Sequence, residues 1–254
     1  MPSVRSLMYG AYERRLLRNL RTDRIPSHIG VMCDGNRRWA RASGEQVEGG
    51  YVAGADKIEE FLDWCDQLHV RLVTLWLLST DNLNRPPEQL DPLMRVIEDL
   101  VDHLAVRRKW RINPVGALDM LPSSTAERLK ASADSTLDVE GMTVNAAIAY
   151  GGRRELADAV RSLLHDYAAQ GATLEEVAEV LDVEHIAEHL YTRGQPDPDL
   201  VIRTSGEQRM SGFLLWQSAH SEFYFCEAMW PDFRRTDFLR AVRDYTRRER
   251  RYGT

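Results

Sequence analysis

The chain has 254 residues, 43% hydrophobic and 28% charged, enough to bury a sizeable core as one large α/β domain. A net charge of −6 argues against nucleic-acid binding as the main task, and no apolar run approaches the eighteen or so residues of a membrane span. Three cysteines, Cys33, Cys65 and Cys226, lie far apart with no Cys-x-x-Cys. They read as reduced and cytosolic, and the N-terminus lacks the apolar region of a secretion signal.

In chain order, residues 1–25 form a basic helical extension. Leu7, Tyr12, Leu16 and Leu20 recur at helical spacing among Arg14, Arg15 and Arg18. Such a helix suits packing on the domain or on a partner subunit better than lying on a membrane surface, although peripheral membrane contact stays open. The apolar run Ile29–Cys33 then reads as a buried strand that ends in Asp34-Gly35-Asn36-Arg37-Arg38-Trp39, residues able to open a helix. In an open parallel sheet, ligands bind beyond the carboxyl ends of the strands. A carboxylate, the N–H groups of a glycine turn and two guanidiniums gathered there suit a magnesium-bound phosphate. The same residues also suit a capped strand end with surface arginines, and the stretch alone does not choose.

Ser43–Gly50 reads as a mobile loop, Tyr51–Leu68 as a helix, and Arg71–Leu78 as a central strand apolar on both faces. The polar loop Ser79-Thr80-Asp81-Asn82-Leu83-Asn84-Arg85 follows, with a long helix from Glu88 to about Val106 entered after Pro87. Next come a strand at Arg111–Val115, a helix at Ser123–Ser135 and a strand at Met142–Ala149. The loop Tyr150-Gly151-Gly152-Arg153-Arg154 feeds a helix, Glu155–Tyr167. Thr173–Leu190 is helical in one or two pieces. A short strand, Asp199–Ile202, precedes the polar loop Arg203–Gly212, the apolar aromatic run Phe213–Phe225 and a basic helix, Asp237–Arg251. This alternation predicts a single α/β domain with a mostly parallel sheet flanked by helices.

Arginines recur in the loops after strands: Arg37 and Arg38, Arg85, Arg203 and Arg209. Arginine recognises phosphate bidentately, so a site assembled from these loops fits two diphosphates better than a sugar or a peptide. The commoner phosphate loops, Gly-x-x-x-x-Gly-Lys-Ser/Thr and Gly-x-Gly-x-x-Gly, are absent. His185 and His189 could chelate zinc at i, i+4, but Asp182, Glu184 and Glu188 around them read better as a solvated helix face.

Five segments in order carry a resemblance: His28–Trp39, Ser79–Pro86, Gly151–Glu155, Asp199–Ser211, and Phe213-Leu214-Leu215-Trp216-Gln217 through Glu222-Phe223-Tyr224-Phe225 to Trp230-Pro231-Asp232-Phe233. Together they resemble the cis-prenyltransferases, the (Z)-isoprenyl diphosphate synthases, over residues 26–254. The resemblance implies transfer of an allylic prenyl group to isopentenyl diphosphate, with a new cis double bond and release of diphosphate. It also implies Mg2+, a homodimer, and an apolar tunnel between the sheet and two helices.

It further implies site roles. Asp34 would be catalytic and hold magnesium, with Glu222 as a further metal ligand. Asn82 stands where a proton acceptor is often assigned. A neutral amide is a very weak base, so orienting a water or a diphosphate oxygen suits it better. Gly35, Asn36, Arg37, Arg38, Trp39, Tyr51, Ser79, Thr80, Asp81 and Arg85 would line the substrate pocket, and Arg203, Arg209, Met210 and Ser211 would hold isopentenyl diphosphate. Departures from the common pattern (Val47, Tyr51, Asp81, Leu83 and Gln208) resemble the actinobacterial short-chain branch, the (2Z,6E)-farnesyl diphosphate synthases. Leu77 stands where long-chain members tend to carry a small residue. It would fill the tunnel and stop elongation after geranyl diphosphate is extended once, unless it is ordinary core. A long-chain polyprenyl synthase and a non-catalytic partner subunit are the alternatives. Arg251-Tyr252-Gly253 resembles an Arg-x-Gly motif that reaches an active site across a dimer interface in some relatives; a frayed terminus is the other reading.

Overall fold

The computed structural model describes residues 4–248, with side chains from residue 10 onward. The predicted Arg251-Tyr252-Gly253 motif lies outside the described residues. Among these residues six strands form one sheet: β1 (His28–Met32), β2 (Leu72–Trp76), β3 (Arg111–Val115), β4 (Thr143–Ala147), β5 (Leu200–Arg203) and β6 (Glu222–Phe225). The order is β3-β4-β2-β1-β5-β6 and every pairing is parallel. The expectation of a mostly parallel sheet thus becomes a wholly parallel one.

Helices α1 (Val4–Arg18), α2 (Asn36–Ser43), α3 (Val47–Gln67), α4 (Pro87–Arg107), α5 (Ser123–Asp134), α6 (Gly152–Ala169), α7 (Leu174–Val180), α8 (Val183–Ala187) and α9 (Arg235–Arg247) complete it. The apolar residues of the strands divide between two faces. Val31, Val73, Leu75, Val144 and Ile202 join the larger core together with Phe61 and Leu62 of α3, Ile97 and Val101 of α4, and Phe238 of α9. Met32, Val115, Ala147 and Val201 pack on the other face with Tyr150, Phe213 and Leu214. Helix α1 lies on α9, and its Leu16 belongs to the larger core, as does Leu20 just beyond it. The N-terminal extension therefore shares the core of the domain.

The loop expected over Ser43–Gly50 is shorter, because α3 already begins at Val47. Gly49 and Gly50 read as breakers in the sequence, but Gly50 serves close packing instead. A Cβ there would lie 2.4 Å from the Asn36 carbonyl oxygen, and one on Gly54 would lie 2.6 Å from Asn36 Oδ1. Two small residues one turn apart let α3 press against the start of α2.

From the amino ends to the middle of the strands the second face is polar. His28 is buried with Nε2 2.8 Å from Thr74 Oγ1 and Nδ1 2.8 Å from the Pro196 carbonyl oxygen. Asn145 Nδ2 donates to Thr74 Oγ1 at 3.0 Å, and Asn113 Nδ2 donates to Asn145 Oδ1 at 2.8 Å. Burial depresses the His28 pKa from 6.5 to about 4. His28 is thus neutral when folded while the unfolded chain binds a proton below pH 6.5, so its contribution is complete above that value and falls as pH drops towards 4. At pH 5 this predicts a loss of about 2 kcal/mol relative to pH 7 in denaturant unfolding. His28→Gln should flatten that part of the pH dependence; an unchanged slope would count against the assignment.

Candidate functional site

The chain leaves β1 towards β2 on one side, while β5 returns on the other, so β1 lies at a topological switch point. A cavity of about 340 Å³ opens there, beyond the carboxyl ends of β1, β2 and β5. Asp34 sits just past β1. Its backbone is clamped: the N–H lies 3.0 Å from Thr204 Oγ1, and its carbonyl accepts from the Trp230 N–H at 3.0 Å. Its carboxylate is left facing the cavity. Oδ2 stands 3.0 Å from Arg203 Nη2, and Oδ1 3.7 Å from Arg38 Nη2.

Gly35 makes the turn from strand to helix. It takes φ +109°, and a Cβ there would come within 3.0 Å of Met229 and 3.1 Å of Ser205. Gly35→Ala is therefore predicted to cost roughly 2 kcal/mol in urea unfolding, because it combines left-handed strain with a clash. It should also displace Asp34 relative to Arg37 and Arg38. A variant of unaltered stability would show that the turn relaxes freely.

The cavity wall holds Arg37, Arg38, Arg85 and Arg203 against only Asp34 and Asp81 as acids, an excess of two positive charges. Burial, and then the neighbouring Arg37 guanidinium, lowers the Arg85 pKa. Guanidiniums gathered in a half-buried space favour an anionic partner. Arg203 itself is buried. Its Nη1 donates to Ser211 Oγ at 2.9 Å and to the Arg209 carbonyl, while its Nε has no partner among the described residues. Asn82 faces the same space from a 3-10 turn, Thr80–Asn84, where its N–H donates to the Ser79 side chain at 3.1 Å.

A narrower apolar channel of about 30 Å³ adjoins the cavity between the sheet, α3 and α4. Leu77, just past β2, lines both spaces, with Ile58, Leu93, Val96, Ile97 and Leu100 along the channel. The predicted face of Val73, Leu75 and Leu77 divides: Val73 and Leu75 are fully buried core, and only Leu77 reaches the open space.

The structure gathers Asp34, Gly35, Asn36, Arg37, Arg38, Tyr51, Leu77, Ser79, Asp81, Asn82, Arg85, Arg203 and Ser211 around one cavity. The other expected residues stand apart from its wall. Trp39 lies on α2 away from the lining. Thr80 stitches to the β4–α6 loop, its N–H donating to the Tyr150 carbonyl at 3.1 Å. The Arg209 guanidinium pairs with Glu207 on its own exposed turn, and only its carbonyl reaches Arg203. The Met210 carbonyl accepts from the Phe213 N–H at 3.0 Å, closing the same turn.

Glu222 begins β6, in register with Leu200, whereas Arg203 pairs with Phe225. That is three strand residues, roughly 10 Å, towards the amino ends of the strands. Its carboxylate pairs with Arg248. The two expected metal ligands, Asp34 and Glu222, therefore do not meet within one chain. Met32, Cys33, Trp76, Leu78 and Leu93 line the cavity without having been expected as site residues. Their apolar strand and helix signals read only as core.

Among the described residues no group of three His, Cys, Asp or Glu side chains comes together. A divalent ion at Asp34 would have one protein carboxylate and would take its other ligands from water and a bound anion. Magnesium tolerates that arrangement, since it keeps waters and shares substrate phosphates. The donor set fits a magnesium–diphosphate pair. Among the described residues no helix is long and apolar enough to cross a membrane.

Residues 32–253 match the protein family described as "Putative undecaprenyl diphosphate synthase". The chain is 61% identical over 254 residues to a (2Z,6E)-farnesyl diphosphate synthase of Thermobifida fusca, covering 100% of both chains. It is 52% identical over 256 residues to a short-chain Z-isoprenyl diphosphate synthase of Mycobacterium bovis, covering 99% of this chain and 98% of that one. A crystal structure of lavandulyl diphosphate synthase from Lavandula x intermedia, in complex with dimethylallyl diphosphate, superposes with a TM-score of 0.84 at 31% identity, covering 91% of this chain and 100% of that one.

Proposed function

The chain belongs to the undecaprenyl diphosphate synthase family and is a cis-prenyltransferase; from that premise we propose that it adds one isopentenyl diphosphate to geranyl diphosphate, giving (2Z,6E)-farnesyl diphosphate. The observation that carries the short product is Leu77, which stands where the polar cavity gives way to a channel of only about 30 Å³. The names of the relatives from Thermobifida and Mycobacterium point the same way.

In this reading Arg37, Arg38 and the N–H groups of the Gly35 turn hold the allylic diphosphate, and Arg203 and Ser211 hold the isopentenyl diphosphate. The Asp34–Arg203 pair at 3.0 Å joins the two subsites and keeps the diphosphates adjacent. Asp34 would hold magnesium, which when bound supplies charge neutralisation for the leaving diphosphate. The allylic C–O bond breaks with its electron pair going to diphosphate. The double-bond electrons of isopentenyl diphosphate join its terminal carbon to the allylic carbon and leave its branched carbon electron-poor. A proton then leaves the methylene beside that branched carbon, and the C–H electron pair becomes the new double bond. Asn82 orients an oxygen, from water or the departing diphosphate, to take that proton. Leu93, Leu77 and the α4 side chains keep water from the growing chain.

The test incubates purified protein with labelled isopentenyl diphosphate and magnesium. Dimethylallyl, geranyl and farnesyl diphosphates are supplied separately, and products are resolved by length and double-bond geometry. A single addition to geranyl diphosphate with cis geometry, abolished by chelator, is expected. A long polyprenyl ladder would overturn the short product, and no turnover with any starter would favour a non-catalytic partner subunit. A homodimer and a cytosolic site of action are part of the same proposal, and sedimentation of the purified protein tests the first.

A further inference from the structure

The motif Gly151-Gly152-Arg153-Arg154-Glu155 contributes no side chain to the cavity wall, yet Glu155 is 1% exposed. A carboxylate so deep needs its oxygens filled by donors. Glu155 Oε1 accepts from the Tyr191 N–H at 3.0 Å and from Gln217 Nε2 at 3.0 Å, and Oε2 accepts from the Tyr150 hydroxyl at 2.5 Å. Gln217 Nε2 also reaches Thr192 Oγ1 at 2.9 Å. One carboxylate thus ties together the end of β4, the first turn of α6, the turn at Tyr191–Thr192 and the turns after Ser211.

Those turns close through their own backbone hydrogen bonds but carry backbone strain. Ser211 and Leu214 hold φ +49° and +45°, a region that non-glycine residues enter only when their surroundings impose it. The imposing contacts come from the loop before Glu155 and from the end of β2. The Gly152 N–H donates to the Gly212 carbonyl at 2.9 Å, and the Phe213 ring stacks on Trp76 at 5.2 Å and meets Tyr150 edge-on at 6.0 Å. Ser211, at the head of this segment, accepts from Arg203 Nη1, whose other amino group faces Asp34. We propose that Glu155 is a positioning residue for the isopentenyl diphosphate subsite, holding the 211–217 segment, through Gln217, in the geometry that aims Ser211 and Arg203 into the cavity. The inference rests on the subsite assignment made above. Glu155 lies beneath the Ser211 side of the cavity and makes no hydrogen bond to the Gly35 turn or to Arg37 and Arg38 on the allylic side, so its effect is selective.

Gln217→Ala cuts the tie from the loop side and leaves the carboxylate two of its donors. Calorimetric titration with isopentenyl diphosphate alone should show about tenfold weaker binding, with KM for this substrate rising in parallel. KM for the allylic diphosphate should stay within about twofold, and Tm within about 4 °C. Unchanged affinity for isopentenyl diphosphate, or equal losses for both substrates, would overturn the proposal. If Gln217→Ala does not fold, Tyr150→Phe removes a single hydroxyl, and about threefold weaker isopentenyl diphosphate binding with the same selectivity is expected; loss without selectivity refutes the inference. Because the titration needs no turnover, parent protein that binds isopentenyl diphosphate but forms no product would refute the proposed reaction while leaving the positioning role tested.

Discussion

Asp34→Asn is expected to lower turnover by about three orders of magnitude, close to 4 kcal/mol of transition-state stabilisation, while leaving the protein folded. Asp34 brings the cavity's main carboxylate to the point where Arg203 and Arg38 also converge. An amide of the same shape keeps the turn but loses the charge that a divalent ion needs. The fold should survive, because the Asp34 backbone is held by Thr204 and Trp230 rather than by its side chain. Some stability is lost, since Arg203 is only 5% exposed and would lack its counter-charge. Asp34 is itself open to the cavity, so that cost is roughly 1–2 kcal/mol, below that of a fully buried pair. The measurement is steady-state turnover across a magnesium series, alongside urea unfolding. Activity within tenfold of the parent would remove Asp34 from the centre of the chemistry.

Leu77→Ala is expected to lengthen the product by one or more isoprene units. Leu77 is half-buried at the junction of the polar cavity and the apolar channel, and beyond it Ile58, Ile97 and Leu100 leave about 30 Å³ of open space. Deleting most of an isobutyl group enlarges the channel at its entrance, where an extended chain has to pass to be elongated again. Because the side chain is only half-buried, the stability cost should be about 2 kcal/mol or less. Product length from geranyl diphosphate, resolved chromatographically, decides the matter. A folded Leu77→Ala enzyme that still stops after one addition would place the barrier elsewhere on α3 or α4.

Much of this was legible in the chain as a string. Periodicity separates the strands from the helices because a central parallel strand is apolar on both faces and a surface helix is not. The boundaries move by a few residues, in one case because a glycine serves packing and not turning, as Gly50 does against Asn36. The arginine-bearing loops could be picked out because phosphate chemistry needs those residue types after strands. What the string could not convey is where side chains end. Arg209 and Arg203 lie on the same loop and look equivalent, yet one pairs with Glu207 on an exposed turn while the other is buried against Asp34 and Ser211. The family resemblance implies a shared metal site for Asp34 and Glu222, but strand register sets them towards opposite ends of the strands.

The local signals (strand period, Asp-Gly turn, arginine after strand) thus determined the α/β class, the buried central strands and the charged residues of the cavity around Asp34, and the family resemblance supplied others such as Tyr51, Asn82 and Ser211. They depend on neighbours in sequence, which a string preserves. Tertiary structure alone decided that the cavity lies at the β1 switch point, that Leu77 but not Leu75 faces open space, and that Glu155 anchors the Ser211 segment. Those facts depend on residues brought together from distances such as the 62 positions between Glu155 and Gln217, and only the packing of the sheet between its two helical layers establishes such contacts.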